Sequence, residues 1–458
     1  MNAKTNLIVF LTDQQRWDSC GCYGQRLPVT PNLDRMAAEG VRFESAFTCQ
    51  PVCGPARACI QTGKWATEIG AYENDIALPT GELTLAHRLS AIGYETGYIG
   101  KWHLASTGAR YASHANPQCN FWTTAVPPAR RGGYNDFWLA ADVLEFTSHA
   151  YDGHVFDGEG RRRDFPPGRY RADVLGDWAL EFLDSRRGDK PFFLFISFIE
   201  PHHQNDHGRY EGPLGSKERF GGFDVPGDLV GTAGDWREAF PNYLGCCNAL
   251  DFNLGRVRAK LAEKGWADNT LVLFTSDHGS HFKTRNGEYK RACHDGCIRI
   301  PMVACGPGFT GGSVVRELVS LIDLPPTIVA AAGLPPPPEM RGCALQAAAG
   351  GRVGTLPREV FLQISEDHIG RAIRTAKWKY EVWVPTDHPG TGDTRMGSEV
   401  YHEYHLYDLE RDPHERHNLA GNPELAALRG ELAGILKRRM HEAGEGETRI
   451  LPAICASD

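Results

Sequence analysis

Asn6-Leu7-Ile8-Val9-Phe10-Leu11-Thr12 is an apolar run without alternation, and Asp13 follows it directly. A strand that shows no polar face is covered on both sides, as strands of parallel sheets are. Thr96 to Ile99, Phe192 to Phe198, Thr270 to Thr275 and Pro301 to Cys305 read as further strands. Helical periodicity fills the spaces between them. Thr30 caps a helix that stops at Gly40, and Thr84 to Ile92 closes at Gly93. Val174, Leu175, Trp178, Phe182 and Leu183 share one helical face, as do Tyr243, Cys247, Leu250, Leu254, Val257 and Leu261. Pro325 to Ala332 is a last helix of this part. Strands alternating with helices predict an α/β fold, a large and mostly parallel sheet sandwiched by helices.

After about residue 355 the texture changes. Val360-Phe361-Leu362, Ala372-Ile373-Arg374, Trp378 to Trp383 and Leu406 to Leu409 read as short antiparallel strands, and a helix from about Pro423 to Met440 follows. The expected organisation is a catalytic α/β domain over 1–350 and a smaller α+β subdomain over 355–458. Residues 106–170 and 203–235 lack regular periodicity, and insertions of this kind often carry binding surfaces.

The chain has 458 residues with 41% hydrophobic and 23% charged, an ordinary globular composition. Its net charge of −8 argues against nucleic-acid binding, so an anionic substrate needs a local basic pocket. Leu7 to Leu11 is too short for a signal peptide or membrane span, so the chain as written is expected to be cytoplasmic, or periplasmic or secreted if a leader was removed. Thirteen cysteines is a high, odd count, and mostly free thiols are expected. Cys20-x-Cys22, Cys49-x-x-x-Cys53 and Cys293-His294-x-x-Cys297 all lack the paired Cys-x-x-Cys spacing of a structural zinc site.

Pro51-Val52-Cys53-Gly54-Pro55-Ala56-Arg57, continuing to Thr62-Gly63, reads as a turn and a short helix. Pro55 suits the first helical position and Gly63 the end. Cys53 then sits just before a helix N-terminus, where free N–H groups and the dipole favour an anion. Arg57 lies one turn on and can reach back to the same point. Asp13, Lys101, His202 and the Asp277-His278 pair each follow the carboxyl end of a predicted strand. That edge is where open α/β sheets bind ligands, so residues far apart in sequence should converge there.

Cys53-x-Pro55-x-Arg57-Ala58 with Thr62-Gly63 resembles the signature of the formylglycine-dependent sulfatases of the alkaline phosphatase superfamily. The resemblance covers most of the chain. It includes the first strand ending in Asp13, Thr30-Pro31-Asn32-Leu33-Asp34, Gly100-Lys101-Trp102-His103-Leu104, Pro201-His202 and Asp277-His278-Gly279. It extends to Lys290 and, near the C-terminus, to Leu406-Tyr407-Asp408-Leu409 with Asp412-Pro413 and Asn418-Leu419. It implies an alkaline-phosphatase-like fold and oxidation of Cys53 to formylglycine by a maturation enzyme.

It also implies a divalent ion, generally calcium, held by Asp13, Gln14, Asp277, His278 and the modified Cys53. Oxygen ligands suit a hard cation. Gln14 stands where many relatives have Asp, and His278 where many have Asn. The imidazole admits manganese more easily, magnesium being a further candidate. These two variants also resemble the phosphonate monoester hydrolases, which makes phosphonate or phosphodiester hydrolysis the alternative activity. Lys101 and His103 favour sulfate.

The implied mechanism is attack of the hydrated formylglycine on sulfur, with Arg57, Lys101 and Lys290 on the sulfate oxygens. His202 is the implied acid for the departing alcohol, and His103 the base that breaks down the sulfate ester. A non-catalytic anion- or glycan-binding relative is disfavoured, because nucleophile, metal and acid positions are all present.

The expected substrate is a small-molecule or oligosaccharide sulfate ester. Candidate subsites are Arg130, Arg131, Arg161-Arg162-Arg163, Trp122, Tyr134 and Trp138, with His203 facing the leaving group. Trp383, His388, His402 and His405 are weaker candidates.

Overall fold

The computed structural model describes residues 4–112, 117–385 and 395–454. Its larger sheet is built from β1 (Asn6–Thr12), β2 (Val41–Phe47), β3 (Glu95–Lys101), β4 (Phe137–Ala141), β5 (His154–Asp157), β6 (Arg162–Asp164), β7 (Phe192–Ser197), β8 (Thr270–Ser276), β9 (Arg299–Ile300), β10 (Met302–Cys305) and β11 (Ser313–Ser320). The strand order is β11-β2-β10-β8-β1-β7-β3-β4-β5-β6, with β9 paired to β2. β8, β1, β7, β3 and β4 run parallel at the centre. β10, β5 and β6 are antiparallel to their neighbours. The expected mostly parallel α/β sheet is therefore present.

Every residue of β1 is buried, because alternate side chains enter two different cores. Leu7, Val9 and Leu11 join one apolar cluster with Phe193, Phe195, Leu271 and Leu273. Ile8 and Phe10 join the other with Leu194, Ile196, Val272 and Phe274. The helices Cys53–Thr62, Leu85–Ser90 and Leu324–Ala331 cover the first face, and Pro31–Glu39, Arg171–Ser185 and Trp236–Glu263 the second. Two covered faces are what an unalternating apolar strand demands.

A second sheet follows, β12 (Glu359–Ile364), β13 (Gly370–Thr375), β14 (Trp378–Trp383), β15 (Val400–Asp408) and β16 (Arg449–Leu451). The first four run antiparallel and β16 lies parallel to β15. The helix Ala426–Glu442 packs on it through Leu432, Leu436 and Met440. These side chains continue the apolar cluster of the larger sheet, and Phe47, Leu318, Val360 and Leu362 bridge the two sheets.

Several local expectations shift. Cys53 is the first residue of its helix rather than the residue before it, Val52 being the cap, and Pro55 sits in the first turn. Thr30 is the N-cap of Pro31–Glu39, yet its hydroxyl serves Gly21 N and Asp34 instead of the helix. The stretch 106–170 contains β4, which extends the parallel core, and β5 and β6. Tyr134 and Trp138 from this stretch are buried, not binding residues. Their rings lie 4.9 and 5.3 Å from that of Tyr98, in an aromatic cluster with Trp102. Arg131 lies over Trp138 and donates to the Val126 carbonyl, so it too is structural.

Gly100 sits in β3, one residue before Lys101, with φ of 102°. A Cβ there would lie 2.0 Å from the Ser197 carbonyl oxygen of β7. Gly100→Ala is therefore expected to cost about 3 kcal/mol, from left-handed strain plus a backbone clash. The urea midpoint should fall accordingly, and an unchanged midpoint would contradict this packing.

Candidate active site

Four parallel strands deliver side chains to one edge. Asp13 follows β1, Asp277-His278 follows β8, β3 ends in Lys101, and the turn after β7 carries His202. The helix Cys53–Thr62 enters the same space by its first residue. Asp13, Cys53, Asp277 and His278 are all buried, and one donor atom of each lies within 4.8 Å of the others.

The Cys53 sulfur is 2.9 Å from Lys290 Nζ, 3.1 Å from His278 Nε2 and 3.3 Å from Asp13 Oδ1. Burial alone would push this thiol up. The charges of Lys101, Lys290 and His278 and a hydrogen bond from His103 overcome it, holding it well below the ordinary thiol range. Burial opposes the Asp13 charge too, yet Lys101, His202 and Arg57 keep the carboxyl well below its usual range. Lys101 Nζ donates to Asp13 Oδ2 at 2.7 Å. Asp277 goes the other way, raised by burial and by its neighbour Asp13.

Arg57 departs from expectation. Its guanidinium donates to Asp13 Oδ2 at 3.0 Å, to the Ser197 hydroxyl at 2.6 Å and to the Lys101 carbonyl at 2.9 Å. It also lies 3.2 Å from Asp277 Oδ2. These contacts occupy both terminal nitrogens, and the guanidinium does not line the cavity. Arg57 orients the carboxylates, and of the three expected sulfate contacts only Lys101 and Lys290 line the cavity.

A cavity of about 280 Å³ opens over Cys53. Gln14, Lys101, His103, His202 and Lys290 line it. Its outer wall is formed by Asn74, Asp75, Arg110, Tyr111, Glu145, Arg291 and Glu366. None of these wall residues stands out in the sequence, since the fold assembles them from separate loops. Arg291 pairs with Glu366 across the rim. Arg161, Arg162 and Arg163 pair with Asp157, Glu159, Asp164 and Glu181 and lie outside the cavity. Arg130 does not line it either, while Trp122 touches the rim through Phe146.

His203 turns away from Cys53. Its ring bonds Tyr289 at 2.7 Å and faces a separate cavity of about 630 Å³ that lacks the Cys53 cluster. Trp383 stacks on Tyr404, His402 meets the Pro452 carbonyl, and His405 bonds Glu381. His388 lies outside the described residues.

The donor set fits a divalent cation. Asp277 Oδ2 is buried with the Arg57 ion pair but no hydrogen bond, and two buried carboxylates stand side by side. His278 Nδ1 lies 2.9 Å from the Gly279 carbonyl. A carbonyl only accepts, so Nδ1 carries a proton and Nε2 is the nitrogen turned to the cluster. The side chain of Gln14 meets Tyr210, Ser280 and the His203 N–H, while its own N–H donates to Asp277.

The family model described as Sulfatase matches residues 5–334. The chain belongs to the sulfatase family. Members of it are sulfuric ester hydrolases, and this sulfatase is 29% identical to the uncharacterized sulfatase YidJ of Escherichia coli K12, across 94% of its own length and 86% of that protein. It is also 29% identical to human arylsulfatase A, with the same two coverages of 94% and 86%. A structure solved with its substrate D-glucosamine-2-N,6-O-disulfate superposes on this sulfatase with a TM-score of 0.75 at 22% identity, covering 96% of this chain and 98% of the other. That likeness establishes the shared fold.

Proposed function

We propose that this sulfatase hydrolyses a sulfate monoester carried by a saccharide, with residue 53 as nucleophile. The observation that carries the reading is the Cys53 side chain on the floor of a cavity, between Lys101 and Lys290 on one side and Asp13, Asp277 and His278 on the other. Oxidised to formylglycine by a maturation enzyme, residue 53 supplies a geminal diol, one hydroxyl to attack sulfur and one to release sulfate afterwards. A divalent ion, calcium or manganese, held by Asp13, Asp277, His278 and Gln14 would polarise the sulfate and the attacking oxygen.

The remaining roles belong to side chains in place. The Lys101 and Lys290 ammonium groups face the cavity and balance charge that grows on the sulfate oxygens. His202 Nδ1 donates to the His203 carbonyl at 2.6 Å, and Nε2 accepts from Lys290 at 3.1 Å. That pair is the proton source for the departing alcohol. His103 hydrogen-bonds the Cys53 side chain, which places its ring to take a proton from residue 53.

Saccharide preference is supported by relatives named as an ulvan-active sulfatase from Formosa agariphila, 27% identical, and an N-acetylglucosamine-6-O-sulfatase from Bacteroides thetaiotaomicron, 24% identical. The cavity volume of about 280 Å³ lies near the lower edge of small-molecule sites, which run from about 300 Å³. That suits one sugar ring with its sulfate.

The test is mass spectrometry of the tryptic peptide Phe43 to Arg57, from protein made in its native host. It holds Cys49 and Cys53. Loss of one alkylatable thiol with an aldehyde or its hydrate at position 53 is expected. An intact Cys53 in every copy would withdraw the mechanism. Paired sugar sulfates and phosphonate monoesters then decide between sulfate and phosphorus chemistry.

His202→Gln is expected to lower kcat about 10²–10³-fold on sugar sulfates. An aryl sulfate with an acidic phenol leaving group should be slowed far less, since it departs without a proton. Equal losses on both substrates would remove His202 from the proton path.

A further inference from the structure

Among the described residues, one other cluster joins a thiol to imidazoles. Cys293, His294 and His405 each offer a donor atom, and the three atoms lie within 4.8 Å of one another. Cys293 and His294 precede the single helical turn Asp295–Ile298, and His405 lies on β15 of the second sheet. The cluster therefore sits at the seam between the two sheets.

Hydrogen bonds occupy one nitrogen of each ring and leave the other open. His405 Nδ1 is 2.6 Å from Glu381 Oε2. The ionised carboxylate only accepts, so Nδ1 carries the proton and Nε2 the lone pair. His294 Nε2 meets the Tyr407 hydroxyl at 3.1 Å, while its Nδ1 is buried with no partner. His294 is only 6% exposed, so that orphaned nitrogen points to a ligand. Glu381 is itself fixed, its other oxygen 3.0 Å from His368 Nε2, and His368 Nδ1 lies 2.8 Å from Asp367. An imidazole backed by a carboxylate is how metal-ligating histidines are oriented.

We propose that Cys293, His294 and His405 form a second metal site, for a nitrogen- and sulfur-seeking divalent ion of the zinc type. One thiolate and two imidazoles select such an ion over calcium. Bonds of about 2.0–2.3 Å put tetrahedral donors about 3.3–3.8 Å apart, so the cluster closes with shifts of about an ångström. A water takes the fourth position. Binding displaces the Cys293 thiol proton to solvent, so affinity rises with pH. The ion braces the loop that carries Lys290 against β15. The site is independent of the activity proposed for Cys53.

The test is a Co²⁺ titration of chelator-stripped Cys53→Ser protein, a background in which the catalytic thiol gives no signal. One equivalent is expected to raise a thiolate-to-cobalt charge-transfer band with the strong visible bands of four-coordinate cobalt. Zn²⁺ should abolish the band and excess Ca²⁺ leave it. Adding Cys293→Ser should remove it. Glu381→Gln should weaken Co²⁺ binding about 10–100-fold, and His405→Gln at least as much. No band at one equivalent, or a band that survives Cys293→Ser, overturns the site. If Cys293→Ser fails to fold by circular dichroism, the half-buried His405→Gln decides, and unchanged Co²⁺ affinity there is fatal to the proposal.

Discussion

Cys53→Ala is expected to lower sulfate-ester turnover by at least about 10⁴-fold, the scale of losing a group that forms the covalent bond. The sulfur is the common partner of Lys290, His278 and Asp13, and among the described residues no Ser, Thr or second Cys lines the cavity. Alanine removes one heavy atom from the first residue of a well-packed helix. The fold should therefore survive, with stability changed by no more than about 1–2 kcal/mol. Steady-state kinetics on a sugar sulfate, with circular dichroism on the same sample, checks both halves. Turnover near that of the unaltered protein would sink the assignment of residue 53.

Asp13→Asn is expected to act on stability and chemistry together. Asp13 Oδ2 accepts from both Lys101 and Arg57, and all three groups are buried. A neutral amide leaves two buried cations short of an anion, at a cost of about 3–5 kcal/mol. It also removes one of the two carboxylates offered to a divalent ion, so calorimetric Ca²⁺ affinity should fall steeply and activity by about 10³-fold. The pH dependence carries a further signature. Since its folded pKa is depressed, Asp13 contributes stability above its unfolded value of about 3.9 and loses it as pH falls further. The asparagine variant should lack that share of acid sensitivity. Equal acid midpoints would argue that the Lys101 and Arg57 contacts contribute little.

How far the sequence speaks depends on how each element is buried. β1, β3, β7 and β8 are legible because both faces are covered, and the residues at their carboxyl ends could be placed on one edge. β2 mixes buried and half-buried positions, and β11 has an exposed half, so neither shows a clean period. β4 hides in a region rich in Gly, Pro and aromatics that mimics a surface loop. Tyr134 and Trp138 read as candidate sugar subsites for the same reason, since a buried aromatic cluster has no local signature. Arg57 reaches the expected edge and meets protein groups there. Sequence spacing aims it at Cys53, but only the fold shows that Asp13, Asp277 and Ser197 occupy its fork first. The cavity wall, from Asn74 to Glu366, and the pairing of Cys293 with His405 depend on contacts between distant segments.

The burial of Cys53 also sets a clock. In the folded chain its side chain is 1% exposed, closed in by His278 and Lys290, which lie 225 and 237 residues further along. During synthesis residue 53 emerges long before either. At about 5–20 residues per second, some 10–45 s pass before His278 is made. Until then the segment around Cys53 cannot be enclosed by these partners. If the maturation enzyme proposed above binds this stretch before it folds, it has that interval to act. The fraction of active molecules would then be decided on the ribosome, by translation speed against oxidation rate.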